Sequence, residues 1–157
     1  MVSMQKPNIL VSACLMGIPC RYDGKSVPFE PIKELLTRAN VIPFCAEVYG
    51  GLPTPRASAE LQPSTGRVAL KDGTDVSDAF ARGAREAARI ARLLNCRYAL
   101  LKDKSPSCGV GEVYDGTFTR TLVPGDGRTA RALIEAGVRV FSCANLGALL
   151  EALDSDE

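Results

Sequence analysis

Three cysteines follow short β-branched or leucine-rich runs that have the composition of buried strands. Cys14 and Cys45 come at the ends of the runs at 8–13 and 41–44, and Cys108 lies in the loop after a third run at 98–102. The carboxyl ends of parallel strands lie along one edge of an open α/β sheet, and ligands bind at that edge. We therefore expect these three thiols, far apart in sequence, to converge at one place.

The order of the predicted elements defines the fold class. Strands alternate with helices at about 31–38, 77–94 and 129–136, and a fourth strand at 138–143 precedes a final helix. Such alternation is typical of parallel strands joined by helical crossovers. We predict an α/β fold: a single three-layer domain over residues 1–157, with a mainly parallel sheet of about four strands (Rossmann-like) and a frayed tail at 154–157. A small β excursion is expected at 68–76, inside the long connection after Glu47.

Composition limits the class of protein. The chain has 157 residues, 46% of them hydrophobic and 24% charged, and a formal net charge of +1, so global charge does not indicate a nucleic-acid partner. No run approaches the roughly 18 apolar residues needed to cross a bilayer, and the apolar stretch before Cys14 is too short for a secretory segment. We expect a cytoplasmic protein without a membrane partner, in which six cysteines indicate metal binding or catalysis rather than disulfides.

The cysteines differ in what their positions indicate. In a chain with no histidine, several converging thiols favour a soft metal or an iron–sulfur cluster, whereas a four-thiolate zinc site usually brings Cys-x-x-Cys pairs that are missing from this sequence. Cys20 is open between a fourth ligand, a resolving thiol and a packed side chain. Cys96 is interpreted as a small buried hydrophobe at the opposite edge of the sheet, and Cys143, at the end of the fourth strand, as a packed side chain that could also approach the site.

Other polar residues accompany the cysteines. Glu47 lies two residues after Cys45, and a partly desolvated carboxylate there can act as a general acid or base. Ser105 and Ser107 precede Cys108, and a hydroxyl at this place can relay a proton or cap a turn. Further candidates are Tyr22, as a wall for a flat ring, and Arg56, Lys102 or Lys104, as partners of a negatively charged cluster or substrate.

Three segments together resemble one known family. They are Val11-Ser-Ala-Cys-Leu-Met-Gly-Ile-Pro-Cys-Arg-Tyr-Asp-Gly24, Cys45-Ala-Glu-Val-Tyr-Gly-Gly-Leu-Pro-Thr-Pro-Arg56 and Leu101-Lys-Asp-Lys-Ser-Pro-Ser-Cys-Gly109. They are similar to the signatures of the thiouracil desulfidase family, a bacterial family long described as a domain of unknown function. The similarity extends over about residues 8–150. One departure is Ala46, where the family usually has proline; we expect a looser loop there with the same Cys–Glu spacing.

The resemblance implies a function and a site. It implies a [4Fe-4S] cluster held by Cys14, Cys45 and Cys108, with one iron open to the sulfur of the substrate. The implied reaction is the non-redox desulfuration of a thiolated pyrimidine such as 2-thiouracil, which yields uracil and hydrosulfide. Glu47 would activate water and Ser105 would handle protons, and we add Tyr22, Arg56 and Ser107 as substrate-binding candidates.

Two other functions remain open from the sequence. One is a cluster-free thiol or sulfur-transfer enzyme that uses Cys14 and Cys20 as a redox pair. The other is a non-enzymatic iron–sulfur or zinc module, bound to RNA through the arginines of the 77–94 helix. Because no aromatic residue is interleaved with these arginines, a solvated helix face is the favoured interpretation and RNA is the minor one.

Overall fold

A parallel four-stranded sheet lies at the centre of the molecule in the computed structural model, which describes residues 5–155. The strands are β1 (Asn8–Ser12), β2 (Asn40–Phe44), β3 (Ala59–Gln62), β4 (Arg67–Leu70), β5 (Cys96–Leu101), β6 (Glu112–Tyr114), β7 (Leu122–Pro124) and β8 (Arg139–Ser142). The helices are α1 (Ile32–Arg38), α2 (Ala46–Tyr49), α3 (Ser77–Leu93), α4 (Arg128–Glu135) and α5 (Leu146–Ser155). Short 3₁₀ turns follow β1 and β8, at Ala13–Met16 and Cys143–Asn145.

The central sheet has the strand order β2-β1-β5-β8, and all three pairings are parallel. In register, Ile9 of β1 pairs with Val41 on one side and with Tyr98 on the other. The chain moves from β1 outward to β2 and then crosses back to β5 on the opposite side of β1. The gap between β1 and β5 is therefore the topological switch point, where open α/β sheets bind ligands.

Helices cover both faces of this sheet, which confirms the predicted three-layer α/β fold. One face packs Ile9 and Val11 against Leu35 of α1 and Leu149 of α5. The other face packs alanines and a leucine of α3 and α4 against the sheet, among them Ala87, Ala91, Ala130 and Leu133. Alternate residues of β1 are thus buried on opposite faces, as expected for a strand inside a parallel sheet.

Two antiparallel hairpins are added to this core beyond the helices. Hairpin β3–β4 lies within the long connection after Glu47, and a bridge from Ala69 to Asp75 extends it, so the predicted excursion at 68–76 exists but is larger than expected. Hairpin β6–β7 was not predicted. Both hairpins contribute to a third apolar cluster, formed by Leu61, Val68, Phe80 and Val113.

The last helix extends into the segment predicted as a tail. Asp154 and Ser155 belong to α5, and the Asp154 carboxylate accepts a hydrogen bond of 3.1 Å from Arg38. The structure thus places these two residues in the last turn of α5 and not in a separate tail, while 156 and 157 lie outside the described residues. Over residues 5–155, none of the helices combines the length and apolar character needed to cross a membrane.

Candidate active site

The three predicted ligand cysteines lie at the carboxyl edge of the sheet. Cys14 is in the 3₁₀ turn that follows β1, Cys45 is the N-cap residue of α2 directly after β2, and Cys108 lies in the loop after β5. All three line one cavity of about 520 Å³ at the switch point. Cys96 begins β5 at the opposite end of the strand, is buried, and takes no part in the cavity.

Cys20 is the fourth thiol of the cavity. The Cys45 thiol lies 3.8 Å from the Cys20 carbonyl oxygen and donates to it, so the turn that holds Cys20 lies against the second ligand loop. All six cysteines are free thiols. Cys143, by contrast, packs at the margin of the apolar cluster that includes Leu149.

Burial and neighbouring sulfurs raise the pKa of three of the cavity thiols, those of Cys14, Cys20 and Cys108. Burial raises the pKa of Cys14, and the nearby Cys45 sulfur raises it further, against the lowering effect of Lys102 and Arg21. Burial and then Cys45 raise the pKa of Cys20 to about 12. A thiol with such a raised pKa is a poor free nucleophile, but it becomes a thiolate when a metal replaces its proton.

Ser12 is a residue of the site that sequence reasoning missed. Its buried hydroxyl oxygen accepts a hydrogen bond of 2.9 Å from the Lys102 backbone N–H, which joins the ends of β1 and β5. Burial raises the pKa of Cys108 to about 12, while the hydrogen bond from Ser12 opposes the rise and the Cys45 sulfur adds to it. The sequence signal that could have identified Ser12 is its place at the end of β1, two residues before Cys14.

Ser105 shapes the loop that presents Cys108. Its side-chain oxygen accepts hydrogen bonds from the backbone N–H groups of Ser107 (3.0 Å) and Cys108 (2.9 Å). Its carbonyl oxygen accepts a further bond from Gly109. Because two donors already occupy the Ser105 oxygen, its own hydroxyl proton is available for a group in the cavity. Both suggested roles, turn cap and proton donor, are thus compatible in one residue.

Ser107 lines the cavity, but its hydroxyl is engaged inside the protein. The side chain is buried and lies 2.7 Å from the hydroxyl oxygen of Thr129, in the first turn of α4. Its carbonyl oxygen accepts bonds from the N–H groups of Thr129 and Ala130. These contacts anchor the Cys108 loop to the start of α4.

Glu47 and Arg56 form a buried ion pair beside the cysteines. Arg56 Nε lies 3.2 Å from Glu47 Oε1, and the two side chains are only 6% and 20% exposed. Arg56 also donates to the carbonyl oxygen of Cys20 at 2.9 Å, which ties the acid to the turn of the fourth thiol. Burial raises the pKa of Glu47, and the Arg56 cation opposes that rise. The pKa of Glu47 is therefore higher than that of an exposed glutamate, which favours proton exchange by this carboxyl group.

The short helix α2 fixes the direction of Glu47. Ala46, the first helical residue, is buried, and a Cβ on Gly83 of α3 would lie 1.9 Å from the Ala46 carbonyl oxygen. Only glycine at position 83 allows this approach of the two helices. The loosening expected from Ala46 is therefore not seen, since α3 packs directly against this segment.

The remaining walls come from turns and from the two hairpins. Tyr22, 42% exposed, is at the rim with the Arg21 guanidinium 5.6 Å from its ring centre. Hairpins β3–β4 and β6–β7 supply further lining residues that sequence reasoning missed: Glu60, Lys71, Tyr114, Phe118 and Arg120. The structure thus brings all eight predicted site residues to one cavity: Cys14, Tyr22, Cys45, Glu47, Arg56, Ser105, Ser107 and Cys108.

The donor set has the chemistry of an iron–sulfur site. Within residues 5–155, no three Cys, Asp or Glu side chains lie close enough together to hold one metal ion. A cluster spreads its thiolate ligands over several iron atoms and does not need them at one point. Soft sulfur donors in a cavity that also has lysine and arginine side chains match an anionic thiolate-bound cluster.

Comparison with known proteins identifies the family. A family model described as 2-thiouracil desulfurase matches residues 9–145. The chain belongs to the 2-thiouracil desulfurase family. YbbK of Bacillus subtilis (strain 168), a protein described as uncharacterized, is 38% identical over 150 residues, which cover 90% of this chain and 99% of YbbK.

A solved structure of the same kind supports this assignment to the 2-thiouracil desulfurase family. The [4Fe-4S]-dependent thiouracil desulfidase TudS is 42% identical, with a TM-score of 0.88 over 95% of this chain and 99% of TudS. The family membership predicted from the three sequence segments is confirmed.

Proposed function

We propose that this protein is an enzyme that removes sulfur from a thiolated pyrimidine such as 2-thiouracil and depends on a [4Fe-4S] cluster. The products are uracil and hydrosulfide, so water replaces sulfur with no net change of oxidation state. The main support is the meeting of Cys14, Cys45 and Cys108 with a partly buried Glu47 in one cavity. The family match and the likeness to TudS give independent support.

The three cysteines are proposed as the ligands of the cluster. When bound, the cluster supplies an iron Lewis acid that polarises the carbon–sulfur bond of the substrate. Ser12 and Lys102 join the ends of β1 and β5 and so keep two of the ligand loops in position. Cys20, the fourth thiol of the cavity, remains a candidate fourth ligand.

Glu47 is proposed as the base that takes a proton from the attacking water. Its burial favours the protonated form, and Arg56 favours the charged form, so the carboxyl can exchange a proton in either direction. Ser105 is proposed to donate a hydrogen bond through its hydroxyl to the departing sulfur while keeping its own proton, because its oxygen already accepts two backbone hydrogen bonds; the proton that Glu47 takes from water is the one released with the hydrosulfide.

Substrate binding is assigned to Tyr22, Arg56 and Ser107. The Tyr22 ring at the rim offers a flat apolar surface to a pyrimidine. Arg56 adds a guanidinium that also orients Glu47, and Ser107 forms part of the wall beside Cys108.

We place the enzyme in the cytoplasm, where six free thiols are maintained. RNA is not favoured as a partner, since two arginines of α3 already have partners within the protein: Arg82 donates to the Gly50 carbonyl oxygen and Arg89 to the Glu86 carboxylate.

Anaerobic purification, iron and sulfide assays and a visible absorbance spectrum test this function most directly. We expect a brown, oxygen-sensitive protein that releases sulfide and uracil from 2-thiouracil. A colourless protein that still transfers sulfur would favour the Cys14–Cys20 redox pair. A metal-bound protein with no turnover would favour a binding module.

Serine variants test the ligand set. Cys14→Ser, Cys45→Ser and Cys108→Ser should each lose most of the iron and the activity after anaerobic reconstitution, whereas Cys96→Ser, the control, should keep both. If Cys20→Ser loses iron as completely as those three, a fourth thiolate would occupy the proposed substrate position and the open-iron mechanism would be wrong.

A further inference from the structure

The loop between β6 and β7 reaches the cavity in a backbone conformation that its residues do not favour. Phe118 and Arg120 line the cavity and have φ values of 60° and 61°. Positive φ is uncommon outside glycine, asparagine and aspartate, and for a bulky side chain it is a clear outlier. Such conformations persist only where the surroundings enforce them, and they cluster at functional sites.

A carboxylate on the other hairpin enforces this conformation. Glu60 Oε1, on β3, accepts hydrogen bonds from the backbone N–H groups of Gly116 (3.0 Å) and Phe118 (3.1 Å). Both donors lie in the turn, and Glu60 is 56 and 58 residues away in sequence. One side chain thus sets the position of the loop relative to β3.

Close packing and a row of hydroxyls complete the anchorage. A Cβ on Gly116, whose φ is 94°, would come within 2.7 Å of Gln62 Cγ, so the loop lies directly on β3. The Asp115 carboxylate accepts bonds from the Thr117 N–H (2.9 Å) and hydroxyl (2.6 Å). The Thr117 hydroxyl lies 2.6 Å from that of Thr119, which lies 2.8 Å from that of Thr121. These groups hold the turn internally, whereas Glu60 ties it to the rest of the fold.

We propose that Glu60 is a positioning residue that holds the Phe118 ring and the Arg120 guanidinium in the cavity wall, and that this wall binds the pyrimidine substrate. The proposal rests on the proposed function for the identity of the substrate. The Phe118 ring presents an apolar face to a planar heterocycle, and Arg120 presents hydrogen-bond donors to its exocyclic carbonyl oxygen. Glu60 itself acts through the loop and takes no part in the chemistry.

The test compares Glu60→Ala, Glu60→Gln and Glu112→Ala in anaerobically loaded enzyme of equal iron content. Glu60→Ala removes the acceptor, and we expect the KM for 2-thiouracil to rise by about tenfold or more, since hydrogen bonds to a charged group are lost, with kcat within about threefold. Glu60→Gln keeps an acceptor oxygen and should stay within about threefold of the parent KM. Glu112, exposed on the β6–β7 hairpin, is the matched control and should leave KM unchanged.

Amide hydrogen exchange gives a readout that does not depend on turnover. In Glu60→Ala, the amides of 115–120 should exchange at least about tenfold faster, while β1 and β5 keep the parent's protection. Unchanged exchange, or an unchanged KM in Glu60→Ala, would overturn the proposal. If the parent loaded with iron releases no sulfide, the proposed function fails, and the exchange experiment still decides whether Glu60 positions the loop.

A second variant separates substrate binding from loop stability. Phe118→Gly relieves the positive φ, so thermal stability should be equal to or higher than that of the parent. The same change removes the ring, and we expect the KM for 2-thiouracil to rise by at least about fivefold while the visible spectrum of the cluster is unchanged. A KM within about twofold of the parent would exclude the ring from substrate binding.

Discussion

Arg56→Met tests how much of the stability of the site depends on the buried ion pair. Arg56 donates to four groups: Glu47, the carbonyl oxygens of Cys20 and Pro53, and the Thr54 hydroxyl. Methionine keeps the apolar stem and removes all of these donors. Glu47, 20% exposed, would then be a desolvated carboxylate with no cation beside it.

The magnitude follows from this burial. Removing one partner of a buried ion pair costs about 3–5 kcal/mol, mostly because the other charge stays buried and unpaired. For a chain of this size each kcal/mol corresponds to roughly 2–4 °C, so we expect the Tm to fall by about 6–20 °C. Arg38, whose side chain is 34% exposed, makes two surface ion pairs, and Arg38→Met should cost less than about 1 kcal/mol per pair.

A double-mutant cycle assigns the loss to the charge. Glu47→Gln in the Arg56→Met background removes the unpaired carboxylate and should restore about 1–3 kcal/mol. The assay is anaerobic thermal unfolding followed by circular dichroism, with iron content matched across the variants. A loss no larger than that of the Arg38 control, or a double variant no more stable than Arg56→Met, would refute the account of the ion pair.

Three further predictions follow from single residues. Glu47→Gln should keep the cluster spectrum but lose at least about 100-fold in desulfuration, as removal of an acid–base group does; turnover within about threefold at equal iron content would exclude Glu47 as that group. Ala46→Pro places proline at the first position of α2, after an extended Cys45, and should raise stability by about 0.4–1 kcal/mol in thermal unfolding; a lower Tm would mean that the ring does not fit beside α3. Hydrogen bonds from Ser77 and then the Arg67 side chain lower the pKa of Asp75 to about 2. Its stabilising effect is therefore complete only above about pH 5 and is lost progressively as the pH falls through 2, so denaturant unfolding of Asp75→Asn should show a shallower loss over this interval than the parent, and equal slopes would contradict it.

The central sheet was predictable because each of its strands is signalled locally. The runs at 8–13, 41–44 and 98–102 match β1, β2 and β5 within about two residues, and the apolar period of 77–94 matches α3. The rule that parallel strands end at one edge then brought Cys14, Cys45 and Cys108 to the same place without any knowledge of their contacts.

The missed elements depend on contacts distant in sequence. Helix α2 is a single turn, too short to show a helical period, and it is held by the approach of Ala46 to Gly83. The β6–β7 turn contains Phe118 and Arg120 at positive φ, which no local preference of these residues predicts. Glu60, which determines that conformation, lies in a segment with the composition of a loop.

The two halves of the cavity are therefore built by different means. The wall that carries the cysteines follows the ends of β1, β2 and β5. Because these strands belong to one sheet, the sheet sets the relative positions of Cys14, Cys45 and Cys108. The opposite wall belongs to the turn of the β6–β7 hairpin, which lies outside that sheet and is held by hydrogen bonds to Glu60. A change in the hairpin can alter the shape of the wall without moving the ends of the strands. Substitutions at 60 or 115–120 should accordingly change substrate binding while iron binding is retained, and substitutions at the three cysteines should abolish both.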